Sequence, residues 1–220
     1  MDKSNISISF NNPFSLEGKW YKGALHTHTT NSDGYHSPEK LCEIYRSNGY
    51  DFLCFTDHNK ITDYIVEKSD FITIPGAEMN NEEKNNFHIV AFNLKEIFDS
   101  KNLDVQEIIN RAKRQNSLVF LAHPYWSGIS SYEILQLKDI DGIEVFNTGC
   151  EIERGKGYSS VHWDDLITYG SKVNAVAVDD GHDKKADLTY SSVIVKAKSL
   201  TIEEIQRLSL IHISEPTRLL

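Results

Sequence analysis

Residues 52 to 59 read Phe52-Leu53-Cys54-Phe55-Thr56-Asp57-His58-Asn59: four apolar residues, then a carboxylate and an imidazole. An apolar run without polar alternation fits a short strand covered on both faces, as in a sheet flanked by helices. The polar residues stand where such a strand ends, and in α/β barrels that carboxyl end is where functional groups gather. The same pattern recurs along the chain. Strands are expected at residues 23–28, 52–56, 72–78, 87–92, 118–123, 142–146 and 174–179, and a final one at 192–197.

Helices fit between several of them. Ser37-Pro38 offers an N-cap and a first-turn proline, Leu41, Ile44 and Tyr45 form an apolar stripe, and Gly49 marks the stop. Residues 104–115 repeat the pattern with Val105, Ile108, Ile109 and Ala112, and residues 163–169 form a shorter candidate before Gly170. Seven strands interleaved with helices, without a linker or internal repeat, predict one α/β unit of barrel type.

The bulk properties narrow the function. A formal net charge of −9 over 220 residues, with no cluster of Lys and Arg, argues against a nucleic-acid groove. No apolar run approaches the ~20 residues of a membrane span, and residues 1–14 lack the features of a secretory signal, so a cytoplasmic location is expected. Cys42, Cys54 and Cys150 are odd in number and show no CxxC spacing, which fits buried thiols better than a disulfide framework or a thiolate zinc site.

The chemistry-bearing residues fall at the element ends. His26-Thr27-His28 closes the first strand, and residues i and i+2 of a strand share a face, so both imidazoles can reach one ion. Alone, such a pair is as readily two polar histidines at a strand end. Asp33 follows in a turn-rich Ser-Asp-Gly. Glu78 ends Gly76-Ala77-Glu78, His123 stands in Ala122-His123-Pro124, and Asp180-Gly181-His182 offers a second i, i+2 pair. His88 opens a strand instead of closing one, a place where a surface histidine is the default. Six of the nine histidines sit at such ends, leaving His36, His162 and His212 elsewhere. Strand ends are costly places to leave imidazoles and carboxylates without partners, and cations would remove that cost.

The ordered set HTH, SDG, TDH, GAE, FH, AHP and DGH resembles the PHP (polymerase and histidinol phosphatase) superfamily of metallohydrolases across residues 18–206. LHTHTTNSDG with FTDHN is most similar to its carbaryl-hydrolase-like branch, near the metal-dependent phosphoesterases. The resemblance implies a distorted (β/α)7 TIM-like barrel with two or three divalent ions at the carboxyl ends of the strands. It places one ion on His26, His28, Glu78 and Asp180, a second on Asp33, His58 and His182, and a third on Glu78, His88 and His123. Some family members carry histidine where this chain has Asp33. Mixed imidazole and carboxylate ligation suits Zn, Mn or Fe better than Ca or Mg.

The expected reaction is hydrolysis of a small anionic phosphoester, mono- or diester, by a hydroxide bridging the ions, with Glu78, Asp33 and Asp180 serving catalysis as well as ligation. Arg154 and Lys60 are candidate groups for a substrate anion, though such residues are usually solvated. Tyr125 and Trp126 are candidates to wall the pocket, and Glu144 and Asn147 to orient an imidazole. Hydrolysis of a carbamate or carboxylic ester, and an inactive metal-binding module, are the competing readings. Residues 208–220, LSLIHISEPTRLL, resemble the translation of a sequencing adapter at the end of a metagenomic gene prediction. The domain is therefore expected to be truncated near Arg207, within a helix opened by the Thr201–Glu204 capping box, and His212 to take no part in the chemistry.

Overall fold

A computed structural model describes residue 15 and residues 17–80, 86–183 and 186–208. A strand forms at or beside every expected position: β1 (Lys19–Ala24), β2 (Phe52–Phe55), β4 (Phe71–Asn80), β5 (His88–Phe92), β6 (Leu118–Leu121), β7 (Gly142–Asn147), β8 (Asn174–Val178) and β9 (Val193–Ala197), with a two-residue β3 (Glu67–Lys68) added beside β4; β1 lies four residues earlier than expected, which leaves His26 and His28 beyond the strand. The helices are α1 (Pro38–Ser47), α2 (Val105–Arg114), α3 (Pro124–Ser127), α4 (Ser131–Ile134), α5 (Thr148–Arg154), α6 (Ser160–Thr168) and α7 (Ile202–Leu208). The starts of α1, α2 and α7 follow the sequence signals, while α6 begins three residues before the expected 163 and α3, α4 and α5 were not expected. The Ser37 side chain accepts from Lys40 N, Asp104 accepts from Glu107 N, and Thr201 Oγ1 accepts from Glu204 N.

The strands form one mixed sheet in the order β8-β7-β6-β5-β4-β2-β1-β9. Pairs β1/β2, β2/β4, β6/β7 and β7/β8 are parallel, while β5 runs antiparallel to β4 and β6, and β9 antiparallel to β1. The sheet curls into a nearly closed barrel, so the α/β barrel expectation holds, with β5, β9 and the short β3 reversed. At one rim the chain just beyond β1 meets the chain just beyond β8: Thr27 bridges Gly181, His28 N donates to Gly181 O at 3.0 Å, and Asp180 N donates to His26 O at 3.1 Å.

Strand parity sorts the core. Phe52 and Cys54, Ile72 and Ile74, Val90 and Phe92, Leu118 and Phe120, and Val176 and Val178 pack together in the barrel interior. The intervening residues face the helices: Leu53, Phe55 and Phe71 meet Leu41 and Tyr45 of α1, and Ile89, Ala91, Val119 and Leu121 meet Ile108, Ile109 and Ala112 of α2. Burial on both faces is why these strands read as unbroken apolar runs.

Strand β1 stops at Ala24, before His28. Past that point side-chain bonds take over from the ladder: Thr27 N donates to Thr56 Oγ1 at 2.9 Å, and Thr27 Oγ1 donates to the Cys54 carbonyl at 2.7 Å. The adapter-like stretch after Leu208 lies outside the described residues. No helix among the described residues is long and apolar enough to cross a membrane.

The interior core is tightly filled, so Phe120→Ala should cost about 3–5 kcal/mol in urea unfolding. Phe120 is 1% exposed, and a loss below ~1 kcal/mol would show that its environment is loosely packed.

Candidate metal centre

The parity that fills the interior also selects the site. Continuing the inward register of β2 reaches Thr56 and His58, that of β4 reaches Glu78, and that of β8 reaches Asp180. His88 belongs to the same rim because β5 is reversed: it pairs with Asn80 at the end of β4, and its carbonyl accepts from Ala122 N just past β6. His26 and His28, beyond the end of β1 and out of step with the inward Leu25, and His123 depart from parity. At His123 the cause is local: the backbone turns to φ +28°, the left-handed region, which swings the ring over the barrel mouth.

Glu78, 1% exposed, stands at the centre. Its Oε2 lies 3.2 Å from each of His26 Nε2, His28 Nε2 and His58 Nδ1. Its Oε1 lies 2.7 Å from His88 Nδ1 and 3.1 Å from His123 Nε2. Asp180 Oδ1 lies 3.2 Å from His26 Nε2 and 3.1 Å from His28 Nε2, and those two nitrogens are 3.1 Å apart. A third carboxylate, Asp33, lies 3.3 Å from His182 Nε2, 3.6 Å from His28 Nδ1 and 3.7 Å from His58 Nε2.

These spacings fit divalent ions. Four donors at ~2.0–2.1 Å from one ion at tetrahedral angles would stand about 3.3 Å from each other, close to the separations among His26, His28, Glu78 and Asp180. His26 Nδ1 donates to Glu144 Oε1 at 2.6 Å, which leaves the Nε2 lone pair aimed at two carboxylates, an arrangement that asks for a cation. His58 Nδ1 is buried without a hydrogen-bond partner. Three overlapping donor sets result: His26, His28, Glu78 and Asp180; His28, Asp33, His58 and His182; and His58, Glu78 and His88.

The electrostatics express the same demand for positive charge. Burial opposes protonation of His26 and His28, yet Asp180, Glu144 and Glu78 hold His26 well above its ordinary value, and Asp180 and Glu78 bring His28 to about 9. Burial likewise disfavours ionised Glu78 and Asp180, but the facing imidazoles hold both well below the usual carboxylate range. Burial lowers His58, which keeps a neutral ring with a free lone pair.

A similarity to solved structures accompanies this geometry. Over 91% of this chain and 66% of that one, the fold matches a two-domain protein of Bacteroides vulgatus containing a predicted PHP-like metal-dependent phosphoesterase, with a TM-score of 0.64 and 18% identity. The chain has the PHP fold. The lesion-specific endonuclease EndoQ of Pyrococcus furiosus also shares it, with a TM-score of 0.62 and 17% identity over 86% of this chain and 55% of that one. By sequence, an uncharacterized protein of Methanocaldococcus jannaschii is 30% identical over 136 residues, 57% of this chain and 52% of the relative, so the match spans about half of that protein's length. No protein-family profile matches the chain.

Within this PHP fold all nine residues singled out as ligands converge on one rim: His26, His28, Asp33, His58, Glu78, His88, His123, Asp180 and His182. The division differs in detail from the sequence expectation. His58 joins Glu78 and His88, while His123 sits 3.1 Å from Glu78 without completing that group. Asp180 and His182 are not an extended pair, because Asp180 adopts φ +53°; the two side chains serve different donor sets. Arg154 is a correction. Its side chain is 67% exposed and pairs with Glu153, and it does not line the cavity beside the centre, because the α5 helix turns it to solvent. Lys60 is likewise directed away, toward the Asn31 carbonyl.

Behind the centre stand Glu144 and Asn147, the candidates for orienting an imidazole, and two carboxylates, Asp57 and Asp179, that the sequence reading gave no role. Glu144 accepts from His26 Nδ1, His123 N and Asn147 Nδ2, and Asn147 Nδ2 also reaches Asp180 Oδ2 at 3.1 Å. Asp57 accepts from Thr29 N, Thr29 Oγ1, Ser32 Oγ and Thr62 Oγ1, pinning the loop that carries Asp33. Asp179, its pKa raised to about 6 by burial against the bonds it accepts, takes the N–H groups of Thr189, Tyr190 and Ser191 and the Tyr45 hydroxyl. The only sequence signal for Asp57 and Asp179 was their position one residue before a candidate ligand.

Replacing the carboxylate that orients His26 with its neutral amide should weaken ion binding without unfolding the barrel. Glu144→Gln is expected to lower zinc or manganese affinity by ~10- to 100-fold in chelator competition. An affinity equal to wild type would remove Glu144 from this role.

Proposed function

We propose that this chain is a metal-dependent hydrolase of small phosphoesters, and that the nine rim residues hold two or three divalent ions. The observation that supports this most directly is Glu78: one buried carboxylate touches five imidazoles drawn from four separate chain segments, at the floor of a cavity of about 350 Å³. Ions of the Zn, Mn or Fe class bound there would lower the pKa of a water and neutralise charge on an attacked phosphorus.

The protein's own groups supply the rest. Glu78 reaches neighbouring donor sets with its two oxygens and keeps them at fixed separation. Glu144 fixes the His26 tautomer, and the Asp180 carbonyl fixes that of His182 by accepting from Nδ1 at 2.8 Å. Asp33 is the outer carboxylate, with its side chain 45% exposed at the mouth. His182, His28 and His58 hold it below the usual range despite partial burial, so it stays ionised and acts as a ligand and not as a proton donor. No serine or cysteine nucleophile is needed: Cys150 lines the cavity, but burial and the neighbouring carboxylates push its thiol up and keep it protonated.

The reading is tested with metal-loaded protein and bis(p-nitrophenyl) phosphate beside p-nitrophenyl phosphate and an aryl carbamate. Phosphoester turnover should fall by at least about a hundredfold in His26→Ala, with a parallel loss of bound metal by elemental analysis. Turnover of the carbamate alone, or equal rates in wild type and variant, would overturn it.

A further inference from the structure

We propose that the centre selects phosphoesters bearing an uncharged aromatic or other flat apolar group, and that Trp126 and Ile152 form the wall that receives it. This rests on the phosphoester reading above and names the substrate class within it.

Trp126 sits on α3, three residues after His123. Its ring stands edge-on to the imidazoles of His123 and His88, with centroids 5.0 and 6.2 Å away. Ile152 sits on α5. The two helices follow β6 and β7, which are neighbouring parallel strands, so both side chains come to the same sector of the mouth. Both line the cavity that also contains Glu78 and Asp180.

They are nonetheless 37% and 42% exposed. Apolar surface gains free energy by leaving water, and here it is kept open beside the most polar cluster of the described residues. Small-molecule sites commonly combine a few convergent polar groups with apolar lining that covers the ligand's body. The remaining lining is unevenly distributed. Asp33, His182 and Asp187 come from the segments after β1 and β8, while the β6–β7 sector supplies Trp126, Cys150 and Ile152 together with Glu153, which pairs with Arg154.

A phosphoryl group held at the centre therefore has its organic substituent directed toward one of two unlike walls. An aryl face covers Trp126 and Ile152 and loses its own hydration in doing so. A substituent with a second negative charge meets the carboxylates that also line the cavity, Asp33, Asp187 and Glu153, the last of them paired with Arg154. Charge repulsion then adds to the unfilled apolar contact.

Phenylphosphonate and methylphosphonate share a head group and differ only in the part that would meet this wall. Isothermal titration of the metal-loaded protein should show phenylphosphonate binding about tenfold more tightly. Trp126→Phe should retain the preference, and Trp126→Ala and Ile152→Ala should each shrink it to within about twofold, with methylphosphonate affinity preserved. Should Trp126→Ala disturb His88 and His123 and lose both ligands, Ile152→Ala, which removes no group from the centre, decides. Equal binding of the two phosphonates by wild type, or a preference that survives in Ile152→Ala, overturns the wall while leaving the phosphoester reading intact. Binding of neither overturns both.

Discussion

The burial of Glu78 is the constraint on which the rest depends. An ionised carboxylate removed from water is tolerated only when charge and hydrogen bonds surround it. Here that surround is five imidazoles from the loops beyond β1, β2 and β6 and from the start of β5. The apolar interior beneath, Phe52, Ile74, Val90 and Phe120 among others, keeps the local dielectric low. Every charge at the rim is then strengthened, and so is the penalty for losing a partner.

A second layer keeps the first in place, and it is built by alternation. In the pairs Asp57–His58 and Asp179–Asp180 one residue of each joins the donor sets while its neighbour is turned to the other side as a buried acceptor. Asp57 ties down residues 29–32 and Asp179 ties down residues 189–191, so each anchor fixes a loop by satisfying groups that would otherwise be orphaned. Besides Asp180, the non-glycine residues Asn59, His123, Asp183 and Thr189, all in loops next to candidate ligands or their anchors, hold positive φ. Such conformations cost free energy and persist where surrounding contacts over-determine them, as the carboxylate anchors do here.

Much of this was legible from residue order because burial on both strand faces and function at strand ends leave separate marks. Phe52 to Phe55 followed by Asp57 and His58 shows both at once. Strand direction leaves no such mark. His88 looked marginal because a strand start normally lies at the far end of a barrel, and only the antiparallel pairing of β5 carries it to the rim. Helix α5 was likewise unmarked: its seven residues, capped by Asn147, follow β7 immediately, and its turn decides that Ile152 meets the cavity while Arg154 does not. The anchors Asp57 and Asp179 were missed because sequence shows that a carboxylate is present, not which backbone amides converge on it.

The closure of the sheet and the assembly of the centre are one event. The bonds that join the β1 and β8 ends run between His26 and Asp180 and between His28 and Gly181, so the residues that complete the barrel are also donors of the most enclosed set or its neighbours. An ion bound to His26, His28, Glu78 and Asp180 would span this seam together with the β4 strand. Its binding free energy would then appear as stability of the closed barrel, since an unfolded chain offers no such preformed set. The same linkage explains why the centre belongs at this rim. At this seam the backbone contacts are the Thr27–Gly181 bridge and the bonds of His28 and Asp180, and cations bound to the clustered carboxylates and imidazoles would add a further link across it.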